Sequence, residues 1–162
     1  MARDIRRVVS GLAADGTSDW FSDGTAAAVL TNERSGARIT DVWRIGAVPP
    51  DVGDDGAPGE VKLWPELGGL VFRIAEIPPQ GSAPPPAAGR HTVAGMHASD
   101  TVDLMVIVSG ELWGYQEHGE HPVLLKQGDT FVQRGTSHAW ENRSDQPCVF
   151  AVVLVGATRQ SH

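Results

Sequence analysis

The punctuation of this chain constrains its fold more than any other feature. From position 102 onward, short apolar runs recur at close and fairly regular intervals, at 102–108, 111–117, 122–126, 130–133, 138–142 and 148–155. Turn-forming stretches (SGE, EHGEH, KQGD, RGTS, RSDQ) separate them. Runs this short, rich in β-branched residues and bounded by Gly, Asp, Asn and Ser, are strands rather than helices. The first half adds shorter or sparser runs at 5–10, 26–31, 37–45 and 70–77. In the last, LVFRIAEI, the residues Phe72, Ile74 and Glu76 alternate with Val71, Arg73, Ala75 and Ile77, as a strand with two unlike faces requires. No stretch carries helical periodicity and no repeat is evident. The expectation is an all-β, antiparallel sandwich or barrel.

Size and charge narrow the class further. At 162 residues the chain is expected to form one domain with a real core. A net charge of -7 argues against a nucleic-acid partner, which needs clustered positive charge. Cys148 is the single cysteine and sits in the apolar run CVFAVVLV, so it reads as a buried thiol in a reducing compartment. No window is long enough for a membrane span. The N-terminus, with Arg3, Arg6 and Arg7 ahead of VVSGLAADG, is a poor signal-peptide core, and a cytoplasmic location is expected. Two stretches read as loops: an acidic one at 47–60 and a proline-rich one at 78–90, PPQGSAPPPAAGR, placed to lie across a cavity mouth.

Chemistry concentrates in two segments. In GMHASDTVDLMVIVSG, residues His97, Ser99, Thr101 and Asp103 alternate into an apolar strand. An ionised carboxylate leading into LMVIV is costly unless it is paired or coordinated. In the second segment, Gly128, Asp129, Arg134, Gly135, His138, Trp140 and Asn142 follow one another, with the last three of odd-even register sharing a strand face. If both faces look inward, two imidazoles and a carboxylate converge.

These two segments resemble the paired motifs of the cupin superfamily. His97 stands at the first histidine of the first motif, Ser99 where a second histidine is usual, Asp103 in place of the glutamate, and Gly110 at the closing glycine. Gly128, Gly135, His138 and Asn142 match the second motif, with Gln133 at its proline position. The resemblance covers roughly residues 95–155. It implies a jelly-roll β-barrel with extra N-terminal strands: residues 95–157 form the core with both motifs. On the same resemblance, residues 1–94 are expected to complete the barrel and to form a homodimer interface.

The resemblance also implies a divalent-metal site, and here the chain departs from the family. It keeps His97, Asp103 and His138, a set that suits iron(II) or zinc with open positions. Aspartate is one methylene shorter than glutamate, and serine is a weak ligand, so a metal-free pocket is the other reading. Met105, Ile107, Trp113, Tyr115 and Trp140 are candidate walls for a small apolar or aromatic molecule, although each alone is ordinary core. Arg134 is either an anion contact or a turn residue, with the turn favoured. His118 and His121 fit a solvated hairpin tip, and His91 is left open. Three functions follow. The first is acid–base chemistry (dehydration, isomerisation or cyclisation) in secondary metabolism, with His97 and His138 moving protons and Asp103 orienting one imidazole. The second is an iron(II) dioxygenase, and the third a binding protein without turnover.

Overall fold

A computed structural model describes residues 3–80, 95–117 and 121–159. Eleven strands account for all the regular structure there: β1 (Arg6–Leu12), β2 (Ser18–Thr25), β3 (Ala28–Thr31), β4 (Arg38–Ile45), β5 (Leu70–Ile77), β6 (Thr101–Ser109), β7 (Glu111–Gln116), β8 (Val123–Lys126), β9 (Thr130–Arg134), β10 (His138–Glu141) and β11 (Cys148–Gly156). No helix among the described residues is long and apolar enough to cross a membrane. The expected runs are all strands. β2 was not expected, since SDWFSDGT is polar and rich in residues disfavoured in strands. It is held by a hairpin with β1 rather than by a buried face.

Every pairing is antiparallel. A six-stranded sheet runs β3-β4-β5-β11-β6-β9, a three-stranded sheet runs β10-β7-β8, and β1 and β2 stand apart as a hairpin. Strands from both halves of the chain share the large sheet. β11 lies near its middle, and buried positions alternate perfectly in CVFAVVL because every second side chain faces the interior.

Residues directly opposite in an antiparallel sheet share a face, so the register reads as rows. One inward row is Val71–Leu154–Asp103–Gln133. The next is Asp41–Arg73–Val152–Met105–Phe131. A third is Ile39–Ala75–Phe150–Ile107. The third row, with Leu112 and Leu125 of the small sheet, belongs to the hydrophobic core. The first two place charged and polar groups among apolar ones, and that is where the barrel stays open. At the β6–β7 corner, Gly110 has φ +76°, and a Cβ there would fall 2.6 Å from the Pro147 carbonyl oxygen, so only glycine fits the turn.

Cys148 is fully buried, and burial pushes its thiol up to about 11, which is the behaviour of a packing residue. Of the proline-rich loop, residues 81–90 lie outside the described residues, as do His91 and His118. His121 is exposed at the end of the β7–β8 connection.

Candidate functional site

The two imidazoles meet because their backbones pair. His97 N–H donates to the His138 carbonyl at 2.9 Å and His138 N–H to the His97 carbonyl at 2.8 Å, an isolated antiparallel bridge. Such a pair sets both side chains on one face, and the ring centroids lie 4.4 Å apart. His138 is buried at the start of β10, whereas His97 is exposed at the mouth. Asp103 enters from β6 and with both histidines lines a cavity of about 210 Å³.

Backbone carbonyls orient both rings. His138 Nδ1 lies 2.9 Å from the Thr136 carbonyl and His97 Nδ1 lies 2.8 Å from the Gly95 carbonyl. A carbonyl only accepts, so each Nδ1 carries a proton, and in the neutral ring it is Nε2 that keeps the lone pair. Asp103 was expected to orient an imidazole; that role falls to these carbonyls. Thr136 is itself fixed, because Gln133 Nε2 donates to its carbonyl at 2.7 Å and to its hydroxyl at 2.6 Å. Gln133, at the motif's proline position, thus secures the turn that aims His138. Gly135 closes that turn with φ +65°.

Burial governs the ionisation of the inner pair. It lowers the His138 pKa below the usual histidine value, reinforced by His97 and opposed by the Thr136 hydrogen bond and Asp103. It raises the Asp103 pKa above the usual carboxylate value, opposed by a hydrogen bond from Thr101 and by His138, His97 and Arg73. Asp103 Oδ1 is buried and has no hydrogen-bond partner. Ser99 does not face the cavity; its hydroxyl lies 2.7 Å from that of Thr101.

The remaining candidates divide by strand parity. Met105 and Trp140 line the cavity. Ile107 is fully buried in the hydrophobic core and does not line the cavity. Trp113 and Tyr115 do not line it: in the β7–β10 register they lie opposite Glu141 and Ala139, so they face away from His138 and Trp140. There Tyr115 donates to Glu141 and contacts Arg143, whose guanidinium sits 5.0 Å over the Trp113 ring. Burial and Glu141 push the Tyr115 phenol up to about 12. Arg134 is exposed on β9, consistent with its turn reading rather than an anion contact. Asn142 is buried and structural, donating to the Ile77 and Gln146 carbonyls at 2.9 and 2.7 Å.

Several lining residues were not anticipated, three of them from outside the two motif segments and of particular weight. Arg73 reaches the cavity from β5, and Leu63 and Trp64 reach it from the irregular segment before β5. Arg73 was visible as the one charge alternating with Val71, Ala75 and Ile77. Leu63 and Trp64 carry no periodic signal.

As a metal centre the donor set is incomplete. Nδ1–H bonds to carbonyls would leave Nε2 for coordination. Yet no three His, Cys, Asp or Glu side chains among the described residues gather closely enough to hold an ion. Asp103 is recessed behind the histidine pair and shorter than the family's glutamate. As placed, the residues do not fit a two-histidine–one-carboxylate centre.

No protein-family model matches the chain. Phomopsin biosynthesis cluster protein C' of Diaporthe leptostromiformis is 38% identical over 77 residues, 48% of this chain and 34% of that protein. Oryzines biosynthesis cluster protein J of Aspergillus oryzae is 50% identical over 48 residues, 30% of this chain and 26% of that protein. The chain thus spans 34% or less of the length of these curated relatives. The cupin domain of Schizosaccharomyces pombe Cnp3 superposes with a TM-score of 0.50 and 11% identity, over 96% of this chain and 89% of that one, a likeness of fold alone. With its antiparallel strand order and the two histidine-bearing segments joined across one cavity, this chain has the fold of a small cupin domain.

Proposed function

We propose that the cavity performs acid–base chemistry on a small, uncharged, apolar molecule, of the kind that dehydrates, isomerises or cyclises a substrate in secondary metabolism. The observation that carries this reading is the ring geometry. Two imidazoles with Nδ1 tied to carbonyls stand together beside a recessed carboxyl group with an unpartnered oxygen. The partial likeness to proteins named for biosynthesis clusters supports the metabolic setting.

In this reading His138 Nε2 removes a proton from the substrate, since its lowered pKa keeps it unprotonated near neutrality. Burial favours the protonated form of Asp103, and in that form its unpartnered Oδ1 is placed to donate a proton to the substrate oxygen. For a dehydration the proton goes to the departing hydroxyl and water leaves. For an isomerisation His138 returns the proton to another carbon. His97, exposed at the mouth and 4.4 Å from His138 ring to ring, exchanges the proton with solvent. The apolar walls exclude water from the inner pair.

The test uses 2-tetralone, an uncharged apolar ketone with exchangeable α-hydrogens, in deuterated water. The wild-type chain is expected to accelerate deuterium incorporation, and His138→Ala to lose a factor of about 100 or more, the usual range for a general base. Equal rates for wild type and His138→Ala would refute the role.

A further inference from the structure

A stretch without ladder hydrogen bonds is normally the loosest part of a barrel, yet residues 62–64 are fastened at three successive carbonyls. Arg73 donates from its terminal nitrogens to the carbonyls of Lys62 at 2.9 Å and Leu63 at 3.1 Å. Arg44 donates to Lys62 at 2.8 Å and to Trp64 at 3.2 Å. Asp41, buried between them, takes Arg73 Nε on Oδ1 at 2.6 Å and Arg44 on Oδ2 at 3.3 Å. Fixing a strap this way requires desolvating Arg73 and Asp41, which a merely connecting loop does not need.

The strap delivers side chains to the cavity rim. Leu63 and Trp64 line the cavity but remain half exposed, as rigid apolar groups are when a guest completes their burial. The Trp64 ring lies 6.0 Å from that of His97. From there the rings continue inward without a gap: His97 to His138 at 4.4 Å, His138 to Trp140 at 5.5 Å, and Trp140 to Phe131 at 5.2 Å. One side of the cavity is a continuous aromatic wall from rim to floor. Ile39, Ala75, Val152 and Leu154 supply aliphatic surface. The cavity's one guanidinium, Arg73, spends its Nε–H on buried Asp41, which balances its charge, and an N–H of each terminal nitrogen on the strap, which disfavours a charged guest.

We infer that the strap is part of the binding site, that Trp64 determines specificity, and that the site selects a flat, uncharged, unsaturated ring lying along the aromatic wall. Arg44, Arg73 and Asp41 are positioning residues that hold Trp64 in place. This deepens the acid–base reading by naming the substrate class for the same cavity.

Two probes with one carbon skeleton test it: 1-naphthol, which is flat, and 1-decalol, its saturated counterpart. Calorimetric titration of the full chain is expected to show about tenfold tighter binding of 1-naphthol, an ordinary margin for one well-placed contact surface. Trp64→Ala and Arg44→Met should each reduce that preference to less than about threefold. Both variants leave the buried Asp41–Arg73 pair intact, and a thermal melt verifies folding. A change in the ratio of the two affinities, rather than in stability, separates positioning from a structural role. Equal wild-type affinities, no wild-type binding of 1-naphthol, or an unchanged ratio in Trp64→Ala would overturn the inference. A chain that exchanges 2-tetralone through His138 but shows no flat-ring preference sinks this inference alone. One that prefers 1-naphthol without His138-dependent exchange sinks the acid–base reading alone.

Discussion

Replacing Asp41 by Asn removes one charge from the barrel without changing its shape. Asp41 is 1% exposed and its partner Arg73 6%, so the pair is buried in the barrel wall. Asparagine Oδ1 can still accept from Arg73 Nε. Its amide nitrogen, however, would present hydrogens to Arg44, where a carboxylate oxygen now accepts at 3.3 Å. Arg73 would keep the carbonyls of Lys62 and Leu63 but lose its counter-charge. Breaking a buried pair by removing one partner costs about 3–5 kcal/mol, and the retained hydrogen bond favours the lower end. For a chain of this size a loss of about 3 kcal/mol corresponds to a fall in Tm of roughly 6–12 °C, from a total stability of about 5–15 kcal/mol. Urea unfolding, read by the shift of midpoint at constant slope, measures it. The double replacement Asp41→Leu with Arg73→Met should recover most of the loss, since the penalty lies in stranding a charge rather than in lacking a pair. A loss for Asp41→Asn below about 1 kcal/mol, the range of a solvated surface pair, would refute the clamp.

Other consequences are open to simpler measurements. Because burial lowers the His138 pKa, the unfolded chain binds more protons between the folded value and about 6.5, so stability should fall on acidification through that window. His138→Asn should flatten this slope in urea titrations at successive pH values, and an unchanged slope would assign it elsewhere. Asp103 acts oppositely, its raised pKa making stability fall as pH rises above about 3.9 toward the folded value. Metal analysis of protein purified without added metal should find well under one equivalent of iron or zinc, because the three donors do not gather as placed; a tightly held equivalent of iron would restore the dioxygenase reading. The homodimer expected from the N-terminal strands has apolar surface available in Trp20 and Phe21 on the β2 hairpin strand and in Leu104, Val106 and Val132 on the outer sheet face. Light scattering at micromolar concentration should report two copies, and a stable monomer would contradict it.

Strand alternation made most of the barrel readable in advance. A face that must be apolar every second residue leaves a pattern, as in the buried positions of β5, β6 and β11. The same rule placed His97, Asp103 and His138 on inward registers. It failed where periodicity is not the cause of structure. β2 is a strand because β1 pairs with it, and its exposed residues record no buried face. Trp113 and Tyr115 were misassigned because aromatic identity was weighed without the β7–β10 register, which turns them to the opposite face. Arg73 announced itself as a charge on a core face, but its partner Asp41 lies 32 positions away and becomes adjacent only through strand pairing. Trp64 belongs to a segment shaped by carbonyl contacts, which no side-chain pattern encodes.

The central claim is that His138 stands in the cavity as a neutral imidazole with its proton on Nδ1 and a free Nε2. Nitrogen-15 shifts of the histidine side chains, followed through a pH titration, test it without any substrate. The account predicts the Nδ1–H tautomer for His138 and an apparent pKa below about 6.5, the unperturbed value. A proton on Nε2, or a pKa at or above that of a free histidine, would contradict it.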